Sequence, residues 1–267
     1  MDKYLDGSTI VTLVESLAKI LNVQTKEIIR FVQSHQHRIE SRGGQSYNYH
    51  DPMTYGHIVS HFQLSLDAKS IDGITVHHVA SIISQDSFYK YGLLSLKDLF
   101  KFDTPFKIFL HKHGFDIHVD EDGTMIIQAN EKKEMKPYHA RRIKNDRCIN
   151  GFLFGDTAEK DDSIQAILSC PEFISQAHPK FEGFWKQNAT PSVITFKVLL
   201  EEIDSSTFET DDEETILSDQ EKLIAWAFEQ ILFSISHLGH ENPMIYLKEN
   251  VSIGADRIVQ IRKAELD

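Results

Sequence analysis

The chain has 267 residues, 41% of them hydrophobic, and a formal net charge of −12. This length and hydrophobic fraction are enough for a sizeable core in one large domain or in one domain with a small appendage. No segment approaches the roughly 18 uninterrupted apolar residues of a membrane-spanning helix, and charges stand where a signal peptide needs its apolar stretch, so we expect a cytoplasmic protein without a membrane partner. Its two cysteines, Cys148 and Cys170, are too few for a disulfide framework or a cysteine-based zinc site.

The negative charge is unevenly distributed. Between Glu201 and Glu221 there are ten acidic residues and no basic one. The segment from Lys132 to Arg147 instead contains seven lysines and arginines. A local cationic surface is therefore compatible with the acidic total, because the position of charges matters more for binding than their sum.

Two helices are predicted at the N-terminus. From Ser8 to Leu21 the apolar residues follow the three-to-four spacing of an amphipathic helix, with Ser8 as its N-cap. A second helix begins at Thr25 and continues through Val32. The spacing of the two helices is typical of a helix-turn-helix. The unit is charge-neutral, however, and lacks the basic face that phosphate contacts need. We interpret residues 1–40 as a helical N-terminal extension.

The middle of the chain alternates between loop, strand and helix signals. Residues 41–70 are interpreted as a linker or excursion, because Gly, Ser, Asn and Tyr accumulate there, and residues 71–267 as the main domain. The predicted elements in this half are a short helix or strand over His57–Leu66, a strand over Gly73–Val79, a helix over Ile82–Tyr91 ending at Gly92, and a helix over Leu94–Phe109 interrupted near Pro105.

The second half begins with a hairpin signal. Phe115, Ile117 and Val119 alternate along one face, and the chain turns at Asp122-Gly123. Further predicted elements are a short strand over Gly151–Phe154, a helix over Ser163–Ile174, a strand over Pro191–Leu200 and a helix over Asp219–His237. Helices and strands mix without a regular βαβ repeat, which indicates an α+β fold.

The strong nucleotide-binding and hydrolase motifs are absent from the sequence. Histidines are numerous, and the pair His111 and His113, with His118 nearby, suggests a metal site. No carboxylate or third ligand at fixed geometry accompanies the pair, and Gly114 interrupts the pattern. A solvated helix end explains these histidines better, and we expect no metal.

Adjacent histidines in the predicted strand GITVHHVAS are the most informative feature. Neighbours in a strand point to opposite faces, so His77 and His78 have different environments. We interpret His77 as the outward or supporting residue. His78 stands near the end of the strand, followed by Ser81, a helix, and the pair Gly92-Leu93.

This order resembles the opening signature of the ADP-ribosyltransferase-like fold, in which a strand ending in H-x-T leads into a helix and Gly-Leu. The resemblance implies a split β-sheet core with peripheral helices and NAD as substrate. It assigns His78 to the NAD ribose, with Ser81 supplying the hydroxyl that Ala80 lacks at the position of the usual threonine.

A second motif lies near the C-terminus. Enzymes of this family carry a catalytic glutamate ahead of hydrophobic strand positions, and the sequence NPMIYLKENVSIGADRIVQI resembles that pattern with Glu249 before Val251, Ile253 and Ile258. A carboxylate there would stabilise the oxocarbenium-like ribose and deprotonate the acceptor. A solvated glutamate beside the turn-forming Asn250 is the competing interpretation.

Contacts to the rest of NAD are expected in the basic cluster. The family commonly uses an aromatic residue against nicotinamide and a basic residue at the diphosphate, which suggests Tyr138, Arg141 and Arg142, because guanidinium groups bind phosphate in a bidentate manner. An ordinary exposed basic loop explains this cluster as well.

Three functions follow as hypotheses. The first is an NAD-dependent mono-ADP-ribosyltransferase of the bacterial toxin or defence kind, with a nucleic-acid or protein acceptor and an antitoxin or regulatory partner. The second is a non-enzymatic regulator whose N-terminal helices bind DNA or a partner. The third is a histidine-rich metal hydrolase.

Overall fold

The structure is a computed structural model. It describes residues 3–36, 39–42, 46–49, 55–64, 70–119, 125–129, 148–159, 164, 168–171, 179–209, 217–236 and 242–265. The predicted α+β class is confirmed, because a mixed sheet and several helices share one core.

A six-stranded sheet organises the molecule, in the order β10-β8-β4-β7-β9 with β1 beside β4. Its strands are β1 (Tyr4–Leu5), β4 (Gly73–Ile82), β7 (Asn150–Phe152), β8 (Thr190–Leu199), β9 (Met244–Tyr246) and β10 (Ile258–Lys263). Two separate hairpins are β2 (Ile39–Arg42) with β3 (Ser46–Tyr49), and β5 (Phe115–Val119) with β6 (Met125–Ala129). The hairpin predicted around Asp122-Gly123 is therefore confirmed by the pairing of β5 and β6.

The two edges of β4 are paired very differently. On one side β8 runs antiparallel along its whole length, from Gly73 opposite Leu199 to Ile82 opposite Thr190. On the other side β1 pairs at Gly73 and Ile74, and β7 pairs only where His77 meets Phe152. In the described part of the chain, the last four residues of β4 thus have no strand partner on this side.

Helices cover the sheet. They are α1 (Ile10–Leu21), α2 (Thr25–His35), α3 (Tyr55–Phe62), α4 (Asp86–Tyr91), α5 (Leu96–Leu99), α6 (Pro105–Lys112), α7 (Pro179–Asn188) and α8 (Asp219–Ile235). Helix α1 begins one residue later than predicted, because its N-cap is Thr9 and not Ser8. Thr9 forms a capping box with Thr12. Ser8 donates its hydroxyl to Asp6 instead, over 2.6 Å.

The N-terminal helices pack in the main core. Leu17 of α1, Phe31 of α2 and Phe228 of α8 are buried in one cluster with Ile74 and Val76 of β4. The rings of Phe31 and Phe228 lie 5.5 Å apart in an edge-on arrangement. The division of the chain at residues 40 and 70 stays a prediction, although the extension shares its core with the region from residue 71 onward.

A smaller cluster lies beyond the end of β4. It contains Phe100, Phe109, Leu110, Cys170 and Trp185, supplied mainly by α6 and α7. Trp185 is 1% exposed and contacts Phe106 and Phe109 edge-on at 5.3 and 5.7 Å. One member of this cluster, Trp185, lines the cavity described below.

Several predicted boundaries differ from the structure around β4. The strand continues to Ile82, which pairs with Thr190 of β8 although the spacing alone assigns it to a helix. The following helix is confined to Asp86–Tyr91. Gly92 ends that helix with a φ of 74°. The interruption predicted near Pro105 is confirmed: the region from Leu94 to Phe109 forms α5 and α6, and Pro105 begins α6 under the Thr104 cap.

Among the described residues, we find no helix with both the length and the apolar character needed to span a membrane.

Candidate functional site

A cavity opens where β4 and β7 diverge. It has a volume of about 370 Å³. One side of the cavity is lined by residues 78 to 84, and another side by Cys148, Ile149 and Asn150. The remaining lining comes from α4, from the first residues of α5 and α6, and from Trp185. Since β7 pairs with β4 only at His77, the two strands leave this gap between them.

His78 enters the cavity from β4, with one ring nitrogen already occupied. Its Nδ1 lies 2.7 Å from the carbonyl oxygen of Asn150 on β7. A carbonyl oxygen can only accept, so Nδ1 must carry the proton. Burial lowers the pKa of His78 below its ordinary value, against the opposing effect of this hydrogen bond, and the ring is neutral.

The neutral tautomer determines what His78 offers to a ligand. With its proton on Nδ1, the ring presents Nε2 as a lone-pair acceptor. Nε2 makes no hydrogen bond within the described residues. A ligand in this cavity must therefore bring a donor, such as a hydroxyl or an amide N–H, to the imidazole.

His77 lies on the opposite face of the sheet. Its interpretation as an outward residue is wrong, because it is 1% exposed. Its ring contacts the hydroxyl of Thr195 at 3.0 Å and packs against Gly155, where an added Cβ would come within 3.0 Å of the ring. Burial lowers the pKa of His77 to about 4, so this ring is also neutral. Its supporting role stays a prediction; at this residue β4 pairs with Phe152 of β7.

Ser81 lines the cavity and holds its far wall. Its hydroxyl accepts a hydrogen bond of 2.9 Å from the indole N–H of Trp185, and both groups are buried. Ala80 also lines the cavity. Ser81 thus fixes the orientation of Trp185, and its assignment to NAD stays a prediction.

Glu249 lies elsewhere on the surface. It is exposed, in the turn after β9, next to Asn250 with a φ of 65°. It is not one of the residues that line the cavity with His78 and Ser81. The chain that follows Glu249 returns to the cavity, because Ile253 pairs with Leu93. The catalytic role of Glu249 stays a prediction.

The remaining predicted contacts fall outside the described residues. Tyr138, Arg141 and Arg142 belong to residues 130–147, which the structure does not describe. Their assignment to NAD stays a prediction. The described residues include no cluster of three or more His, Cys, Asp or Glu side chains that could hold a metal ion.

Sequence reasoning missed Asn150, Cys148 and Trp185. Asn150 is 72 positions from His78, and Trp185 is 104 positions from Ser81. No local pattern marks them, because their role depends on which strands and helices meet at the end of β4. A weak signal existed for Trp185 alone, since a buried indole N–H requires a hydrogen-bond acceptor.

Comparison with known proteins gives no relative: no family model matches the chain, and no curated protein or solved structure matches it. The chemistry of the cavity therefore carries the functional inference.

Two properties of the cavity define that chemistry. Backbone N–H and C=O groups alternate in direction along a strand, so half of those of Val79–Ile82 point away from β8, where no described strand pairs with them. Aromatic and aliphatic side chains, among them Phe88, Tyr91 and Trp185, supply most of the remaining surface. The site is suited to a planar group that has its own hydrogen-bonding edge.

Proposed function

We propose that this protein is an NAD-dependent mono-ADP-ribosyltransferase that acts as a bacterial toxin or defence effector on a nucleic acid or protein. The observation that carries the proposal is His78, which lines a cavity between diverging strands and whose proton is fixed on Nδ1 by Asn150, so that Nε2 is an acceptor. The strand, the helix and the pair Gly92-Leu93, whose order resembles the opening signature of the ADP-ribosyltransferase-like fold, all contribute residues that line the cavity.

NAD has complementary groups for this site. Its nicotinamide is a planar ring with a carboxamide that both donates and accepts, which suits the unpaired edge of β4 after His78. The adjoining ribose carries hydroxyls that would donate to Nε2 of His78. Trp185, held by Ser81, would pack against the ring.

Chemistry would take place on the ribose outside the cavity. As the bond to nicotinamide breaks, positive charge develops on the ribose, and a carboxylate stabilises it. Glu249 is our candidate for this carboxylate and for the base that accepts the proton of the acceptor. Tyr138, Arg141 and Arg142 are candidates for the contacts to the remainder of NAD, with the guanidinium groups at the diphosphate.

The test is nicotinamide release from NAD, measured by chromatography with single-stranded DNA, RNA or total protein as acceptor. We expect release by the wild type and a loss of at least roughly 100-fold in His78→Ala and Glu249→Gln. His111→Ala and Glu15→Gln change exposed residues of the same kinds and serve as controls.

Two results would contradict the proposal in different ways. No release by the wild type with any acceptor would exclude the activity. Equal release by wild type and Glu249→Gln would remove Glu249 from the mechanism and leave the role of His78 to be judged on its own variant.

A further inference from the structure

Two short segments meet beside the cavity, and each has a lysine between two aromatic residues. They are YKY at residues 89–91, which ends α4, and FKF at residues 100–102, which follows α5. The rings of Tyr91 and Phe102 lie 5.9 Å apart, with an angle of 30° between their planes. The fold therefore joins two separate aromatic and basic segments into one surface.

This aromatic pair connects the cavity to the protein surface. Tyr91 is one of the residues that line the cavity. Phe102 is 44% exposed and is not one of them. A single exposed ring is ordinary on a soluble protein, but two rings that lead from a cavity wall to solvent offer a continuous face to a planar ligand.

Positive charge accompanies the two rings. The ammonium of Lys90 lies 4.8 Å from the centre of the Tyr91 ring, and Lys90 is exposed. Lys101 is also exposed and pairs with Asp98 over 2.6 Å, a surface ion pair of the kind that contributes little. Residues 86–112 contain five lysines and three aspartates, so this stretch has a net charge of +2 in a chain of −12. A polyanion is therefore attracted here more than to the rest of the chain.

Lysines between exposed aromatic rings suit single-stranded nucleic acid. The faces of its bases stack on aromatic side chains whatever the sequence, and its phosphates are attracted to lysine. A duplex has the same phosphates, but its base faces are already stacked on each other. A peptide has no repeated anionic backbone for the lysines to bind.

We propose that the acceptor is a single-stranded nucleic acid, with one base stacked on the pair of Tyr91 and Phe102 and a neighbouring phosphate at Lys90. The inference rests on the proposed function and names its acceptor. An amine or hydroxyl of the bound nucleotide forms the new bond to ribose C1′, and its proton passes to the general base. The bond from C1′ to nicotinamide breaks, and its electron pair stays on the ring nitrogen.

Binding to the wild-type protein tests the choice of ligand without NAD. Fluorescence anisotropy would use labelled DNA and RNA strands of about 20 nucleotides, each single-stranded and as a duplex. We expect at least one single strand to bind roughly tenfold or more tightly than its duplex, and the two arms show whether DNA or RNA is preferred. Equal binding of the duplexes, or no binding of either single strand, would overturn the inference.

A matched pair of phenylalanine variants tests the location. Phe102→Ala removes the exposed ring and should weaken binding of the single strand roughly fivefold or more. Phe184→Ala is the control: Phe184, on α7, is similarly exposed at 47% and is not among the residues that line the cavity. Its affinity should stay within about twofold of wild type. An unchanged affinity in Phe102→Ala, or an equal loss in both variants, would overturn the location.

A lysine pair tests the phosphate contact. Lys90→Gln should weaken binding and reduce the slope of log affinity against log salt by about 0.7, which is the effect of losing one phosphate contact on a single strand. Lys19→Gln changes an exposed lysine of α1 and should leave the slope unchanged. The same slope in Lys90→Gln and wild type would overturn the phosphate contact at Lys90.

The two proposals fail separately. If NAD is cleaved with total protein as acceptor and no single strand binds, the transferase proposal stands and the nucleic-acid acceptor is wrong. If a single strand binds in a manner that depends on Phe102 but no acceptor supports NAD cleavage, the surface stands as a nucleic-acid site and the transferase proposal is wrong.

Discussion

Thr195 stands directly opposite His77 on the neighbouring strand, and its hydroxyl lies 3.0 Å from Nδ1 of the histidine. The other ring nitrogen, Nε2, is buried and has no hydrogen-bond partner within the described residues. Burial lowers the pKa of this ring to about 4, with Arg262 acting in the same direction and Asp6 and Glu159 opposing it. His77 is therefore neutral in the folded core at neutral pH.

His77 should make the protein acid-sensitive. The folded pKa is below the ordinary value of 6.5, so the unfolded chain binds more protons between pH 4 and 6.5. The free energy of unfolding should fall by on the order of 3 kcal/mol as pH decreases across this window, and this contribution should be constant above it. His77→Gln cannot titrate, and urea unfolding over a pH series should show the difference. A parallel pH dependence in both proteins would assign the acid sensitivity to other groups.

Glu229 on α8 should produce the opposite slope. Burial raises the pKa of its carboxyl to about 7, above the ordinary 4.5, so the folded chain holds the additional proton in this range. Stability should fall as pH rises from 4.5 to 7. Glu229→Gln should be close to wild type at pH 4.5 and more stable by roughly 2 kcal/mol above pH 7, as measured by urea unfolding at both values. A constant difference at all pH values would contradict this.

The ion pair between Arg262 and Glu159 should be strongly coupled. Two guanidinium nitrogens reach the two carboxylate oxygens at 2.6 and 2.8 Å, and one of them also donates to the carbonyl of Gly155. Although burial opposes it, Arg262 holds the pKa of Glu159 below its ordinary value. Arg262→Met should cost about 3–5 kcal/mol, because the Glu159 carboxylate is 5% exposed and would lose its guanidinium counter-ion.

The double variant distinguishes pairing from packing. Arg262→Met with Glu159→Gln removes the stranded charge, so thermal or urea unfolding should show it to be more stable than Arg262→Met alone. Additive losses from the two single variants would indicate that the pair is not coupled.

Two glycines should respond to alanine in opposite directions. Gly92 has a φ of 74°, and an added Cβ would come 1.9 Å from the carbonyl oxygen of Ile253, so Gly92→Ala should destabilise the fold by more than about 2 kcal/mol. Gly183 lies inside α7 with nothing within 4 Å of such a Cβ, and Gly183→Ala should stabilise by about 0.5–1 kcal/mol. Melting temperatures of the two variants test this pair, and a stable Gly92→Ala would mean that the turn rearranges freely.

The elements of the fold were largely predictable where a local signal is strong. Strands β4 and β8, helices α1 and α8 and the hairpin of β5 and β6 were expected close to their observed positions, because apolar spacing and turn residues act over a few positions. The extension of β4 to Ile82 was missed, since the pairing with Thr190 on β8 comes from more than a hundred positions away.

The candidate site was predictable only in part. His78 and Ser81 were expected near a ligand, and the structure brings both to one cavity. Glu249 was expected beside them, and the structure has it exposed in a turn outside the lining. Residues that act through distant partners, such as Asn150 and Trp185, have no local pattern.

The sequence by itself determined that His77 and His78 face opposite sides of a strand, because side chains alternate along any extended chain. Only the tertiary structure decided which groups surround each of the two histidine rings. Thr195 and Gly155 enclose His77, whereas the Asn150 carbonyl fixes the proton of His78 on Nδ1 and leaves Nε2 as an acceptor. That difference depends on where β7 leaves β4, which is set by the packing of the whole sheet.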